Sequence, residues 1–155
     1  DNVRVGMNSR LDTIQAAVLL SKLDAFVGEE MVAVNEIARF YDEALAGSSL
    51  VLPCVPEGYT ISWAQYTVQL PEGVDRAVLQ DALRGCGVPT MVYYPKPMHK
   101  QGAFGGIDTA CFGDCSVTER LCEKVLSLPM GPYMCHDDVL NCAERLITYA
   151  KQRRS

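Results

Sequence analysis

The chain has 155 residues, 48% of them hydrophobic and 21% charged, with a formal net charge of −5. That length suits one domain able to bury a core, and the acidic balance argues against a broad nucleic-acid or acidic-membrane surface. No apolar run reaches the roughly 18 residues that span a bilayer, and no signal-peptide pattern opens the chain, so the sequence points to a cytoplasmic protein. It begins at Asp1 rather than methionine, as a fragment or processed piece would.

In chain order, the turn Gly6-Met7-Asn8-Ser9-Arg10 leads into a long helical pattern. Asp12 stands three residues before Gln15, the spacing of a capping box. Ile14, Val18, Leu23, Val27, Met31, Val34, Ala38, Tyr41 and Leu45 then recur at steps that put them on one helical stripe. Gly28 is a candidate bend and Gly47 a natural stop. Residues 59–70, rich in β-branched and aromatic side chains, read as a strand. Asp75 is placed to cap a helix over 76–86 that Gly87 ends, and 89–94 reads as a second strand. Residues 103–113 form a glycine-bearing loop, 116–125 a helix and 125–130 a third strand. His136 or Asp137 is expected to cap a last helix, whose buried stripe is Val139, Leu140, Ala143, Leu146, Ile147 and Ala150. The order predicts an α+β domain: one long N-terminal helix and a three-stranded sheet covered by helices.

The seven cysteines are odd in number and form no C-x-x-C. They read as small core hydrophobes in a reducing compartment. The two histidines, His99 and His136, lack ligand spacing, so no metal site is expected.

Two stretches carry chemistry. Asn8 and Arg10 sit on a turn at a helix start, where unpaired N–H groups and the planar guanidinium suit a phosphate or carboxylate. Equally, Asn8 and Ser9 can simply shape the turn, with Arg10 a solvated charge. In residues 93–101, Pro95 and Pro97 stiffen a loop that carries Tyr93, Tyr94, Lys96, His99, Lys100 and Gln101. Those side chains can be offered to sugar hydroxyls, carboxylates or phosphates, or the loop can be a rigid surface element with half-packed tyrosines.

Four blocks occur in order: G-M-N-S-R-L-D-T-I-Q-A-A (6–17) with Lys22-Leu23, S-W-A-Q-Y (62–66), G-V-P-T-M-V-Y-Y-P-K-P-M-H-K-Q (87–101), and S-L-P-M (127–130) with Pro132-Tyr133. Together they closely resemble the C-terminal part of the DegT/DnrJ/StrS sugar aminotransferases, over essentially the whole chain. The Y-Y-P-K-P-M-H wording is most similar to the branch acting on the 3-keto group of UDP-linked N-acetylated uronic sugars. The resemblance implies the small domain of a fold-type-I, aspartate aminotransferase-like enzyme that uses pyridoxal phosphate. Such an enzyme moves an amino group, typically from glutamate, onto a nucleotide-linked keto-sugar. It also implies a homodimer with active sites at the subunit boundary. On the matched positions, Asn8 meets the cofactor phosphate of the neighbouring subunit with Arg10 nearby, and Tyr94 and His99, with Tyr93 and Gln101, face the sugar-nucleotide.

The family's Schiff-base lysine and its acidic partner lie in a large N-terminal domain. None of Lys22, Lys96, Lys100, Lys124 or Lys151 lies in a matching context. Residues 1–155 are therefore expected to be a small domain with part of a site and no catalytic residue, inactive alone and lacking the large domain as a partner. Two other readings stay open: a stand-alone dimerisation or interaction module using the long helix, and a sugar-nucleotide-binding regulator without chemistry.

Overall fold

A computed structural model describes residues 1–105 and 114–152. The predicted loop over 103–113, Cys111 and the end of the C-terminal basic run therefore fall partly or wholly outside the described residues. The long helix forms as two α-helical runs, α1 (Thr13–Ala25) and α2 (Met31–Leu45), joined by a π turn, Phe26–Glu30. Gly28 thus sits in a local widening of one continuous helix. The predicted capping box is present: the Gln15 N–H donates to Asp12 Oδ1 at 2.8 Å and the Asp12 N–H to Gln15 Oε1 at 3.2 Å. Gly47, with φ of 69°, ends the helix in the left-handed region that suits glycine.

The single apolar stripe divides. Val34, Ala38, Tyr41 and Leu45 are buried, joined by Ile37, while Ile14, Val18, Leu23 and Val27 are exposed and α1 buries no residue. Apolar side chains surround α1, so no face is selected by the rest of the fold.

Two strands, β1 (Tyr66–Gln69) and β2 (Val125–Leu128), pair antiparallel with Tyr66 opposite Leu128 and Gln69 opposite Val125. The expected three-stranded sheet is corrected to these two strands, with single bridges from Val51 to Gln69 and from Met91 to Ser127 on the outer edges. The predicted strand over 89–94 shrinks to Met91, which exchanges both backbone hydrogen bonds with Ser127 at 2.8 and 3.0 Å. Pro89 and Pro95 have no N–H to extend that ladder. The strand over 59–70 is likewise cut to Tyr66–Gln69, because Trp63 adopts a φ of 45°, incompatible with extended backbone. The Trp63 Nε1–H donates to Asn35 Oδ1 at 3.0 Å, and the Asn35 amide donates to the Ile61 carbonyl at 3.1 Å, so α2 holds this turn in place.

Helix α3 (Arg76–Gly85) is capped by Asp75 as expected, with Oδ1 accepting from the Ala77 and Val78 N–H groups. Helix α4 (Ser116–Lys124) runs directly into β2, and α5 (His136–Gln152) packs on α2 and α3. The start of α5 differs from expectation. Neither His136 nor Asp137 caps it; Asp138, in its first turn, accepts the Cys135 N–H at 2.9 Å. Core residues from every layer meet around Tyr41 and Tyr66, whose rings stack at 4.8 Å. Their hydroxyls donate to the Pro129 carbonyl at 2.8 Å and to Asp42 Oδ1 at 2.6 Å. Burial, first of all, raises both phenols well above their ordinary range.

The cysteines are not uniformly core residues. Only Cys142 is buried among the described ones; Cys86, Cys115 and Cys122 are half-buried, and Cys54 and Cys135 are exposed. Among the described residues no cluster of side chains suits a metal, and no helix is long and apolar enough to cross a membrane.

Candidate functional site

The block residues separated in sequence converge in space. Ala64 and Gln65 from the left-handed turn, Pro89, Met91 and Tyr93 from the proline-bounded segment, and Ser127 to Met130 from β2 and its exit line one shallow cleft of about 230 Å³. The Met91–Ser127 bridge brings the last two together, and the β1–β2 register brings the first.

From that cleft the chain continues into the loop over 93–101. Tyr93 and Tyr94 are both exposed, with their rings edge to face at 6.3 Å. Pro97 leads into a 3₁₀ turn, Met98–Lys100, which places His99 and Lys100 together against α4. There the Glu119 carboxylate receives both: His99 Nε2 lies 3.0 Å from Oε1 and Lys100 Nζ 2.7 Å from Oε2. The Lys100 hydrogen bond, then that of His99, holds the Glu119 carboxyl below its ordinary range. Sequence inspection places Glu119 only on the polar side of a helix. Nothing local signals its partnership with residues some twenty positions earlier.

Gln101 is placed differently from its loop neighbours. It is buried, with its carboxamide engaged at both ends: Oε1 accepts the Asn2 N–H at 3.2 Å and Nε2 donates to the Lys96 carbonyl at 3.3 Å. Asn8 and Arg10 lie in the exposed segment between Asn2 and the α1 cap, and neither side chain has a partner among the described residues. The structure thus gathers Tyr93, Tyr94, His99 and Gln101 on one loop and ties the chain segment leading to Asn8 and Arg10 onto it. Among the described residues, no hydrogen bond or ion pair links Asn8 or Arg10 to the tyrosines or His99.

The assembled groups offer hydrogen-bond donors and acceptors to a ligand. Arg10 and Asn8 offer unengaged donors beside a helix N-terminus, and the two tyrosines offer hydroxyls. Three lysines, Lys96, Lys100 and Lys124, are ion-paired with Asp1, Glu119 and Glu72 respectively.

Comparison with known proteins places the chain in a family. The chain is 38% identical over 133 residues to the UDP-2-acetamido-2-deoxy-3-oxo-D-glucuronate aminotransferase of Pseudomonas aeruginosa, covering 86% of this chain and 35% of that one. The crystal structure of a DegT DnrJ EryC1 StrS aminotransferase from Brucella abortus is 41% identical, with a TM-score of 0.72 over 100% of this chain and 39% of that one. S. venezuelae DesV, solved in complex with a ketimine intermediate, is 31% identical with a TM-score of 0.75, over 94% of this chain and 38% of that one. The chain therefore spans little more than a third of the length of these relatives. Residues 1–147 match the DegT/DnrJ/EryC1/StrS aminotransferase family, whose aminotransferases depend on pyridoxal phosphate, and the chain belongs to that family.

Proposed function

We propose that residues 1–155 are the C-terminal small domain of a nucleotide-sugar aminotransferase, with the lysine-bearing large domain lying outside this chain. The whole enzyme is a cytoplasmic homodimer that transfers an amino group from a donor such as glutamate to a keto group on a nucleotide-linked sugar. A 3-keto, UDP-linked uronic sugar fits the similarity to the Pseudomonas aeruginosa relative.

The carrying observation is a division of labour. Binding donors are free at Asn8 and Arg10, while three of the lysines are committed to carboxylates. The residues present fit the phosphate end of pyridoxal phosphate and not its aldehyde end. Bound in the complete enzyme, the cofactor supplies the electron sink for amino-group transfer. In this reading Asn8 and Arg10 hold its phosphate across the subunit boundary. Tyr93, Tyr94 and His99 present donors and acceptors to the sugar-nucleotide, and Glu119 keeps the His99 ring oriented.

The test is to incubate the purified chain with pyridoxal phosphate, reduce with borohydride and analyse by mass. The expected results are no stoichiometric adduct at any single lysine and no transamination. A single stoichiometric lysine adduct, or turnover by this chain alone, overturns the proposal.

The exposed α1 favours a second reading, an interaction module that associates through this helix, since contiguous exposed apolar surface marks contact sites. Monomeric scattering mass at all concentrations removes it.

A further inference from the structure

Gln101 stands apart from the loop that carries it. It is 6% exposed, whereas Tyr94 is 66% exposed. Both ends of its carboxamide are consumed by main-chain groups, the Lys96 carbonyl within the loop and the Asn2 N–H from 99 residues away in sequence. Buried amides with both ends satisfied fix structure, because losing either partner strands a polar group away from water. The neighbouring contacts converge on the same seam. The Ala103 N–H donates to the Asn2 carbonyl at 2.7 Å, and the Asp1 carboxylate accepts the Gly102 N–H at 2.9 Å and the Lys96 ammonium at 2.6 Å. A Cβ on Gly102 would lie 3.6 Å from the Val3 side chain, so the two segments run in van der Waals contact.

We infer that Gln101 is a positioning residue that fastens the segment leading to Asn8 and Arg10 onto the loop of Tyr94 and His99, so that the cofactor-phosphate and sugar-nucleotide groups of this chain move as one unit. The inference rests on the proposed roles of those four residues, and it assigns Gln101 a part other than touching substrate. Without the tie, the hydrogen bonds left between this segment and the loop, among the described residues, are those of the Asp1 carboxylate and the Asn2 carbonyl.

The test is backbone amide exchange by NMR on the 155-residue chain, comparing the unmodified protein with Gln101→Met and Gln101→Glu. Methionine keeps length and removes both hydrogen bonds; glutamate keeps the acceptor for the Asn2 N–H. The expected result for Gln101→Met is a tenfold or greater loss of protection at Gly102 and Ala103, with shifted resonances for Asn8 and Arg10 and unchanged protection at Leu126. In Gln101→Glu, Ala103 protection should recover to within threefold of the unmodified chain. Ala103 protection unchanged in Gln101→Met, or a loss shared equally by Leu126, overturns the inference. Titration with UDP separates it from the functional reading on which it rests. If UDP shifts Tyr94 and His99 in the unmodified chain, at least fivefold weaker affinity in Gln101→Met supports the coupling and equal affinity overturns it. If UDP shifts neither residue, the substrate roles fall, and with them the functional half of the inference, while the exchange result still decides the tie.

Discussion

The two halves of the long helix have similar apolar content and opposite fates. Helix α2 inserts Val34, Ile37, Ala38, Tyr41 and Leu45 into the core, and α1 inserts nothing, leaving Ile14, Val18, Leu19, Leu20 and Leu23 in solvent. The difference lies in what each half meets. α2 faces α5 and the Tyr66 side of the sheet, whereas α1 buries none of its residues and carries its capping box at the end away from the π turn. A helix of 13 residues is marginal in water by propensity alone. Fully burying one leucine is worth about 1.5–3 kcal/mol, so α1 gains its packing energy only in an assembly that covers it.

The largest expected effect follows directly. Leu45, 1% exposed, should cost about 2–5 kcal/mol when truncated to alanine. Leu20→Ala, at a position 68% exposed, should cost less than about 0.5 kcal/mol. Urea-denaturation midpoints check both. A comparable loss from Leu20→Ala would mean that α1 is covered in solution, and that loss should then vary with protein concentration.

Alkaline titration sharpens the contrast from the buried side. Tyr41 and Tyr66 are raised above the ordinary 10.0 chiefly by burial. Their contribution is complete below that pH, where folded and unfolded chains are both protonated. As pH climbs past 10, only the unfolded chain ionises, and stability should fall by about 1.4 kcal/mol per pH unit for each phenol. Tyr41→Phe should reduce that slope by one phenol's share in unfolding experiments at successive pH values. An unchanged slope would show that α2 does not seal the Tyr41 hydroxyl from water.

What could be read in the sequence was what is decided locally. Asp12 with Gln15, Asp75 and Gly47 each act within four residues, and each appears where expected. The extent of the sheet was not legible, because it turns on the left-handed backbone at Trp63 and on how far Met91 can pair between two prolines. The stripe from Ile14 to Leu45 was legible as a helix, yet periodicity carries no information on whether a partner surface exists for each turn. At the candidate site, the blocks marked Asn8, Arg10, Tyr94 and His99 as candidates. The burial of Gln101 and the clasp of Glu119 depend on contacts 99 and 20 residues apart, which no local pattern encodes.

A smaller effect is expected at the free end of the helix. Asp12→Ala removes the N-cap and leaves the first turn of α1 with unsatisfied N–H groups, at a local cost of about 1 kcal/mol. Because α1 is not packed on the core, the change should appear as faster amide exchange at Gln15 to Val18 with the global denaturation midpoint unmoved. A drop in the global midpoint would break the comparison, since it would couple α1 to the folding of α2.

The smallest effect belongs to the surface cluster on α4, where solvent weakens what burial strengthens elsewhere. The Glu119 carboxyl is held below its ordinary 4.5, first by Lys100 and then by His99. The folded chain thus favours the ionised form: the contribution is complete above 4.5 and is lost as pH falls through the lower folded value. Glu119→Gln should flatten the acid limb of the stability profile slightly, and added salt should shrink the difference further. Its greater consequence should be local, as loosened exchange at residues 98–100 of the loop. If both acid limb and loop exchange are unchanged, His99 and Lys100 are held by the proline-bounded backbone alone, and the exposed cluster contributes no more to the fold than the uncovered face of α1.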